Sequence, residues 1–324
     1  MKFRTEILLA KSELLIDHSD KILTIGSCFA ENIAGYFSYH RMNVLCNPFG
    51  VLYNPVSIKN SIDIISEKRI FSERDLIFDQ TEWHSFYHHS IFSNHEPKAC
   101  LEGINRSTIS ANVFLQKANI LIVTLGTSFV FKHIEGNHIV SNCHKIPPPK
   151  FEHYLLSNEE IADSIQSMLK TLRRVNSAIK VIFTVSPVRH WKNGAVDNQL
   201  SKAKLLVSLH EILRKTEGTY YFPSYELMMD DLREYRFYAE DLLHPNKIAT
   251  DYIWEKFKDC HFNESSKVLM KEIDDIIKAC NHKVRNINSD THKRFAQSTL
   301  DKIYSLKKNY PYIDFNSEEN KLRV

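Results

Sequence analysis

The sequence predicts a three-layer α/β/α domain built on a parallel sheet of five strands. Apolar segments rich in β-branched residues alternate along the chain with helical patterns, which is typical of parallel strands joined by right-handed crossovers. Segments 119–125 and 180–185 are continuously apolar, as expected of strands that helices cover on both faces. With 324 residues, the chain is long enough for one such domain with added elements.

The strands are predicted where an apolar run ends in residues that favour turns. In chain order they cover 21–25, 42–46, 119–125, 180–185 and 219–222. The segments that close them are Gly26, Asn47-Pro48-Phe49-Gly50, Gly126, Ser186-Pro187 and Pro223-Ser224. Glycine, proline, asparagine and serine each favour a change of chain direction, so we expect the strands to end there.

The helices are predicted from apolar spacing and capping residues. They cover 31–39, 158–175 and 198–215, and a further helix begins near Lys247. Ser157 is a good N-cap for the second helix, because its side-chain oxygen can accept a bond from a free backbone N–H. The apolar stripe of the third helix is predicted at Leu200, Ala203, Leu206, Val207 and Leu209.

Two regions depart from this alternation. Residues 60–118 form an insertion between the second and third strands that is too long for a bare loop. Within it, the aromatic and histidine-rich segment 83–90 is expected to form either a lid or sugar-stacking wall, or a hydrophobic mini-core. Residues 263–324 are expected to form a helical extension with a charged tail, packed on the domain of residues 1–262 or partly disordered. The helices of this extension are predicted at 268–279 and 293–308.

Composition excludes several classes of protein. A net charge of +3 gives no large basic field for nucleic acid. The N-terminus lacks the apolar core of a signal peptide, and no apolar run approaches the ~20 residues that span a membrane. The six cysteines show no CxxC spacing and are too sparse for a disulfide framework. We expect a cytoplasmic protein with reduced thiols and no metal or other cofactor; the sequence does not indicate an oligomeric state.

Polar residues follow every predicted strand at its carboxyl end, where open parallel sheets bind their ligands. For each residue singly, turn formation is a sufficient explanation. Five consecutive strand ends that carry such residues are better explained by a site. Ser27 and Cys28 follow the first strand at a glycine turn, where an acyl-transfer enzyme requires its nucleophile.

A second feature lies after the last predicted strand. Asp241 precedes His244 by three residues, so the two side chains can meet only across a turn. In that arrangement the carboxylate fixes the imidazole tautomer and leaves the other ring nitrogen free as a base. With 16 histidines in the chain, such a pair can arise by chance, and its position opposite the glycine turn gives it weight.

Several segments together resemble a known family. They are GSCFA (26–30), NPFGVLYNP (47–55), TLGTSF (124–129), NCHKIP (142–147), SPVRHW (186–191) and DLLHPN (241–246). In this order, across roughly residues 20–260, they resemble the GSCFA-domain family, which is allied to the SGNH or GDSL-like hydrolases. The resemblance implies a flavodoxin-like fold with sheet order 2-1-3-4-5, and acyl-ester chemistry.

The resemblance also implies roles for individual residues. In one register Cys28 is the nucleophile, and a shift by one residue makes it Ser27; a thiol is the stronger nucleophile, which favours Cys28. His244 corresponds to the catalytic base and Asp241 to its partner. Gly50 corresponds to an oxyanion-binding glycine. The asparagine expected after the third strand is replaced by Ser128, and Asn142 or Asn47 is expected to compensate.

The acceptor side of the site is expected to include Arg189, His190, His144 and Asn142. Arg189 suits either a carboxylate or phosphate of the substrate or a buried structural ion pair, and the sequence does not decide between them.

The predicted function is therefore an acyl-ester hydrolase or acyltransferase acting on a small-molecule or glycan ester, such as a carbohydrate or cell-envelope precursor. The alternative is a non-catalytic glycan- or ligand-binding module on the same fold, which the replaced asparagine favours. A metal site at His84, His88 and His89 is weakly supported, because no carboxylate has a suitable spacing. A flavin- or nucleotide-binding protein is disfavoured, since the first turn lacks a phosphate-binding run of glycines.

Overall fold

A computed structural model describes residues 5–282 and 289–322 of the chain. The strands are β1 (Lys21–Gly26), β2 (Asn43–Cys46), β3 (Ile77–Phe78), β4 (Trp83–His84), β5 (Ile120–Leu125), β6 (Phe129–His133), β7 (His138–Val140), β8 (Phe151–Leu155), β9 (Lys180–Val185) and β10 (Thr219–Tyr221). The helices are α1 (Cys28–Tyr39), α2 (Pro55–Glu67), α3 (Pro97–Leu115), α4 (Asn158–Val175), α5 (Gly194–Leu213), α6 (Ser224–Glu226), α7 (Lys247–His261), α8 (Glu264–Asn281), α9 (Asp290–Asn309) and α10 (Asn316–Leu322).

The central sheet has the strand order β10-β9-β5-β1-β2, and all four pairings are parallel. Numbered by their order in the chain, its strands run 2-1-3-4-5, which confirms the predicted flavodoxin-like topology. The register aligns Gly26 with Thr124, and Thr124 with Thr184. The carboxyl ends of the three middle strands therefore meet at one edge, where the candidate residues were predicted to converge.

Helices cover both faces of this sheet, as the continuously apolar strands predicted. Because successive side chains of a strand point to opposite faces, Leu23 and Ile25 of β1 lie in one core and Ile22 lies in the other. The first core is closed by α2, α3, α4 and α5, and the second by α1 and α7. The molecule is thus a three-layer α/β/α structure.

The chain after α7 forms the predicted helices. Apolar residues of α8, α9 and α10 form a separate cluster, which includes Ile273, Ile303 and Phe315. Met270 of α8 packs against the core beside α1 and α7. The predicted boundary at residue 263 lies at the start of α8, and the last two residues of the predicted charged tail lie outside the described residues.

The structure adds elements that the sequence patterns did not indicate. Segment 60–118 is less an insertion than part of the main layer, because it holds the second half of α2 and all of α3, both of which close the first core. After β5 the chain forms an antiparallel sheet with the order β7-β6-β8. This small sheet stands beside the carboxyl edge of the central sheet and contributes a wall of the site.

The predicted apolar stripe of α5 is wrong at three of its five positions, whereas Leu209 is buried and Leu206 packs against the core. Leu200 and Val207 are each 50% exposed, and Ala203 is exposed as well. The buried face instead carries Asn198, Ser201, Lys202, Leu205, Ser208, Leu209 and Ile212. Four polar residues lie on the inner face, so an apolar pattern could not identify it.

Within residues 5–282 and 289–322, no helix combines the length and apolarity needed to cross a bilayer. All six cysteines lie in the described segments and are free thiols.

Candidate active site

The first strand ends in a turn that requires glycine. Gly26 has a φ of +147°, and a Cβ at this position would lie 2.2 Å from the carbonyl oxygen of Thr124. Its N–H donates to Oδ1 of Asn47 at 2.9 Å, and the N–H of Ser27 donates to the Thr124 carbonyl at 3.1 Å. The turn is therefore held from β5 on one side and from the loop after β2 on the other, and it fixes Ser27 and Cys28 at the sheet edge.

The two candidate nucleophiles on this turn have different environments. Ser27 is the N-cap of α1: it is 2% exposed, and its Oγ accepts the N–H of Phe29 at 3.4 Å. Cys28 is the first residue of α1 and is half-buried, with the N–H groups of Cys28 and Phe29 directed at its sulfur. Because the serine hydroxyl has a structural role and the thiol has none, the geometry favours Cys28 as the nucleophile.

Cys28 rests as a neutral thiol. Burial has the largest effect on its pKa and, with the negative charge of Glu31, raises that pKa above the usual value. The N–H groups at the start of α1 and the charge of Lys202 act in the opposite direction but do not outweigh burial. The thiol therefore needs a base at the moment of attack.

A carboxylate–imidazole pair lies on the loop before α7. Oδ2 of Asp241 is 2.5 Å from Nδ1 of His244, and Oδ1 accepts the N–H groups of Leu243 and His244 at 2.9 Å each. The backbone N–H groups of His244 and Leu243, together with the imidazole, lower the pKa of Asp241 to about 2. Since the ionised carboxylate only accepts, Nδ1 carries the proton and Nε2 is left as the basic nitrogen.

Ser27, Cys28 and His244 line the same cavity, whose volume is about 500 Å³. Its floor is the carboxyl edge of the central sheet, and its opposite wall is formed by Phe129, Phe131 and Val140 of the small antiparallel sheet. Polar residues from the ends of three central strands thus face an apolar wall, which is the usual composition of a small-molecule site.

Lys202 is a residue of this region that the sequence analysis did not assign. Its side chain is fully buried, and Nζ donates to the carbonyl oxygen of Ser186 at 2.7 Å and lies 5.4 Å from the centre of the Tyr225 ring. Burial lowers its pKa to about 7, while the charge of Cys28 acts to raise it. The sequence pattern placed this lysine on the solvent-facing side of its helix, so it gave no indication that Lys202 is buried near the cavity.

Arg189 and His190 both line the cavity, as predicted. The Arg189 Nε donates to Oδ1 of Asn198 at 3.5 Å, and its guanidinium lies 5.7 Å from the centre of the Trp191 ring. The His190 ring stacks on Tyr53 at 6.4 Å. Among the described residues, no carboxylate forms an ion pair with Arg189, so the structural alternative for this residue is not supported.

Comparison with known families identifies the chain. Residues 21–257 match the GSCFA family, and residues 273–324 match the family described as GSCFA domain protein, C-terminal domain. The chain belongs to the GSCFA family. The resemblance predicted from the sequence blocks is therefore confirmed. Comparison with curated proteins finds no matching sequence.

Solved structures with a related fold are distant from this GSCFA protein. A carbohydrate esterase family 3 protein from Talaromyces cellulolyticus has 9% identity and a TM-score of 0.37, over 79% of this chain and 99% of its own. An acetyl esterase mutant with acetate ion has 11% identity and a TM-score of 0.36, over 79% and 99%. A family 3 carbohydrate esterase from Clostridium thermocellum has 8% identity and a TM-score of 0.33, over 78% and 98%.

The structure does not bring the three predicted oxyanion residues of this GSCFA protein into the cavity. The N–H of Gly50 donates to the carbonyl oxygen of Asn47 at 2.7 Å, and the amide oxygen of Asn47 is occupied by Gly26. Ser128 is fully buried, and its hydroxyl donates to the carbonyl oxygen of Ser201 at 3.1 Å. All three positions serve the packing of loops around the turn.

Two other donors lie at the cavity in their place. The backbone N–H of Cys28 belongs to the first turn of α1, where N–H groups have no partner within the helix. Asn54 lines the cavity as the N-cap of α2, and its Oδ1 accepts the N–H of Ser57 at 2.8 Å. This bond leaves the amide NH₂ of Asn54 as a donor. The sequence contained an indication that Asn54 belongs to the site, because it is the second asparagine of the segment NPFGVLYNP.

The predicted acceptor residues His144 and Asn142 separate in the structure. His144 lies outside the cavity: it is 5% exposed, its Nε2 is 2.8 Å from the carbonyl oxygen of Ser85, and its ring stacks on His84 at 4.5 Å. Asn142 lines the cavity, and its Oδ1 accepts the N–H of His144 at 2.9 Å. The backbone of His144 has a φ of +47°, which turns its side chain away from the site.

The histidine-rich segment 83–90 packs mainly as a mini-core. His84 bonds to Ser93 at 2.6 Å, and the His88 ring stacks on Phe49 at 4.2 Å. His89 is the member of this segment that lines the cavity. In the described parts of the chain, no group of three or more His, Cys, Asp or Glu side chains is placed to hold a metal ion.

Proposed function

We propose that this GSCFA protein is an acyl-ester hydrolase or acyltransferase in which Cys28 forms an acyl-enzyme. The observation that carries the proposal is the shared cavity: Cys28 lines it from the first turn, and His244, oriented by Asp241, lines it from the loop before α7. A nucleophile without a structural bond and a base with a fixed tautomer are the two components that acyl transfer needs.

The first step is attack on the ester. Nε2 of His244 removes the thiol proton as the sulfur of Cys28 attacks the acyl carbonyl, because the thiol does not ionise on its own in this environment. The carbon–oxygen bond of the ester then breaks and leaves a thioester on Cys28. The imidazolium returns the proton to the departing alkoxide, and Asp241 stabilises the imidazolium in the interval.

The charge that develops during attack falls on the acyl oxygen. The N–H of Cys28 and the amide NH₂ of Asn54 are the donors at the cavity that can stabilise it. Lys202 contributes at longer range, since its positive charge lowers the pKa of the Cys28 thiol. These three groups replace the oxyanion set predicted from the sequence.

The second step resolves the thioester. Water activated by His244 gives hydrolysis, and an acceptor hydroxyl or amine in the same position gives transfer. The volume of about 500 Å³ suits a small ester or one sugar unit with its acyl group. A carbohydrate or cell-envelope precursor is therefore the substrate class that we propose.

The experiment that tests the proposal is intact-mass spectrometry after brief incubation with p-nitrophenyl acetate. We expect a single acetyl adduct on the wild type and on Ser27→Ala, none on Cys28→Ala, and slower formation on His244→Ala. Cys280→Ala is the matched control, because Cys280 is a half-buried thiol of α8 and its loss should leave the adduct unchanged.

Two results would change the assignment. An adduct that disappears in Ser27→Ala and persists in Cys28→Ala would make Ser27 the nucleophile. The absence of any adduct, with no release of nitrophenol, would overturn the esterase proposal and favour the ligand-binding module.

A further inference from the structure

We infer that the cavity accepts substrates that carry an anionic group, a carboxylate or a phosphate, and that Arg189 binds this group. The inference rests on the proposed function and specifies its substrate class. It is carried by the distribution of charge around the cavity and by the free donors of Arg189.

The walls of the cavity carry positive charge and no negative charge. Arg189 and Lys192 line it, and none of the described lining residues is Asp or Glu. Lys202 adds a third basic group behind Ser186, which itself lines the cavity. Low-dielectric walls with charge of one sign attract a ligand of the opposite sign.

Two carboxylates beside lining residues of the cavity are already engaged. Asp241 bonds to the backbone and to the imidazole of His244. Glu31 lies behind Cys28, where its Oε1 accepts from the Asn47 amide at 3.5 Å. Among the described residues, neither carboxylate forms an ion pair with Arg189, Lys192 or Lys202. The positive charge is therefore not neutralised by the described part of the protein.

Arg189 is held in a way that leaves its terminal donors available. Its Nε donates to Asn198, which is 3% exposed and also donates from Nδ2 to the His190 carbonyl at 3.2 Å. The Trp191 ring lies on one side of the guanidinium. The two terminal nitrogens carry four N–H donors, and no hydrogen bond joins them to another described residue. Two parallel N–H groups match the oxygen pair of a carboxylate or phosphate.

The opposite wall indicates the rest of the ligand. Phe129, Phe131 and Val140 present apolar surface to the same cavity as Arg189, so the anion and an acyl chain or sugar face can bind at the same time. Lys192 lies at this wall, with Nζ 4.8 Å from the centre of the Phe131 ring. A neutral ester would leave the terminal N–H donors of Arg189 without a partner from the ligand in a partly enclosed space, which disfavours its binding.

Matched pairs of esters test the inference. The first pair is p-nitrophenyl hydrogen succinate and p-nitrophenyl butyrate. Both have a four-carbon acyl group, and only the succinate carries a carboxylate on it. The second pair is 4-acetoxybenzoate and its methyl ester, which place or omit it on the leaving group. We expect kcat/KM of the wild type to favour the anionic member of at least one pair by about 10-fold, the effect of a charge-assisted hydrogen bond.

Substitution at Arg189 should remove this preference. In Arg189→Gln, the ratio of kcat/KM for the anionic ester to kcat/KM for the neutral ester should fall by about 10-fold. Arg189→Lys should retain part of the preference for the anionic ester, because a lysine keeps the charge but loses the bidentate geometry. Arg174→Gln is the matched control, since Arg174 is an exposed arginine in the last turn of α4, and its ratio should equal that of the wild type. A wild-type ratio near one in both pairs, or an unchanged ratio in Arg189→Gln, would overturn the inference.

A binding measurement separates this inference from the proposed function. If no ester acylates the protein, calorimetric titration with monomethyl succinate and with inorganic phosphate still tests the anion site. Binding by the wild type that weakens about 10-fold in Arg189→Gln would support it, and the better of the two ligands would distinguish carboxylate from phosphate. No binding of either ligand to the wild type would overturn it.

Discussion

The two sides of the cavity are built in opposite ways. Gly26 and Ser27 are held by backbone bonds from β5 and by a side-chain bond from Asn47, and Ser27 is 2% exposed. On the other side, the side chains of His244 and Asp241 are 49% and 45% exposed. That loop is stabilised mainly by bonds within itself, including those of the Asp241 carboxylate to two backbone N–H groups.

The difference shows which interactions fix the geometry of each side of the site. The side that carries Ser27 and the proposed nucleophile Cys28, called here the nucleophile side, depends on the packed sheet. Its geometry is therefore as stable as the fold. The side that carries Asp241 and the proposed base His244, called here the base side, depends on one local turn, in which Leu242 has a φ of +59°. A change in the backbone of the first side should therefore affect folding, and a change in the side chains of the second side should affect reactivity alone.

The largest effect is expected from Gly26→Ala. A Cβ at this position would meet the Thr124 carbonyl at 2.2 Å with a φ of +147°, so the strand end cannot keep its pairing. We expect a loss of about 4 kcal/mol or more in the free energy of unfolding, or failure to fold, measured by urea denaturation.

Gly35→Ala is the matched control for this substitution. Gly35 lies inside α1, and a Cβ there would meet nothing within 4 Å. This variant should gain about 0.5–1 kcal/mol, because alanine favours the helix. A Gly26→Ala protein as stable as the wild type would contradict the account of a rigid nucleophile side.

Asp241→Asn should affect reactivity and leave folding intact. The amide oxygen can keep the two backbone bonds of the turn, but the NH₂ group would replace Oδ2 opposite Nδ1 of His244. Nδ1 must then accept, the proton moves to Nε2, and the base is lost. We expect the rate of acetyl-adduct formation to fall about 100-fold with an unchanged melting temperature. Equal losses of rate and stability would show that the loop is not an independent unit.

The same contrast explains what the sequence could and could not predict. The strand ends were predictable because apolar runs and turn residues are local signals, and β9 has the bounds that were predicted. The location of Cys28 and His244 at the cavity was predicted from their positions after the first and the last strand of the central sheet. The oxyanion donors were not predictable in this way, because the use of the Gly50 N–H and the Asn47 amide depends on bonds between loops.

Lys202 shows a second limit of sequence patterns. Hydrophobic periodicity assigns a lysine to solvent, and here the lysine occupies the buried face of α5 beside Leu205 and Leu209. The cost of burying its charge is met only in part by the bond to Ser186. Such a position is recognised from the fold, where its nearness to Cys28 becomes visible.

Lys202→Met should produce an intermediate effect on the nucleophile side. Removal of the ammonium takes away a charge that lowers the pKa of Cys28, so the pH profile of adduct formation should move to higher pH. We expect a lower rate of adduct formation at pH 7, because the thiol then gives up its proton less readily. Lys204→Met, on the same helix, should retain the wild-type profile. A lower melting temperature with an unchanged profile would assign Lys202 a purely structural role.

The smallest effect is expected from acid acting on the mini-core of segment 83–90, which contains the fully buried His88. Burial lowers the pKa of His88 to about 3, below its usual value of 6.5. As the pH falls below 6.5, the unfolded chain therefore takes up a proton that the folded protein does not, and the free energy of unfolding decreases. Between pH 7.5 and pH 6 we expect a loss of roughly 1 kcal/mol from this residue.

His88→Phe isolates this contribution, because phenylalanine keeps a ring against Phe49 and cannot take up a proton. The urea-unfolding free energy of this variant should depend less on pH between 7.5 and 6 than that of the wild type. His95→Phe is the control, since His95 is exposed and its loss should leave the pH dependence unchanged. If the unfolding free energy of His88→Phe depended on pH as steeply as that of the wild type, His88 would not be the acid-sensitive group, and protonation elsewhere would have to account for the dependence.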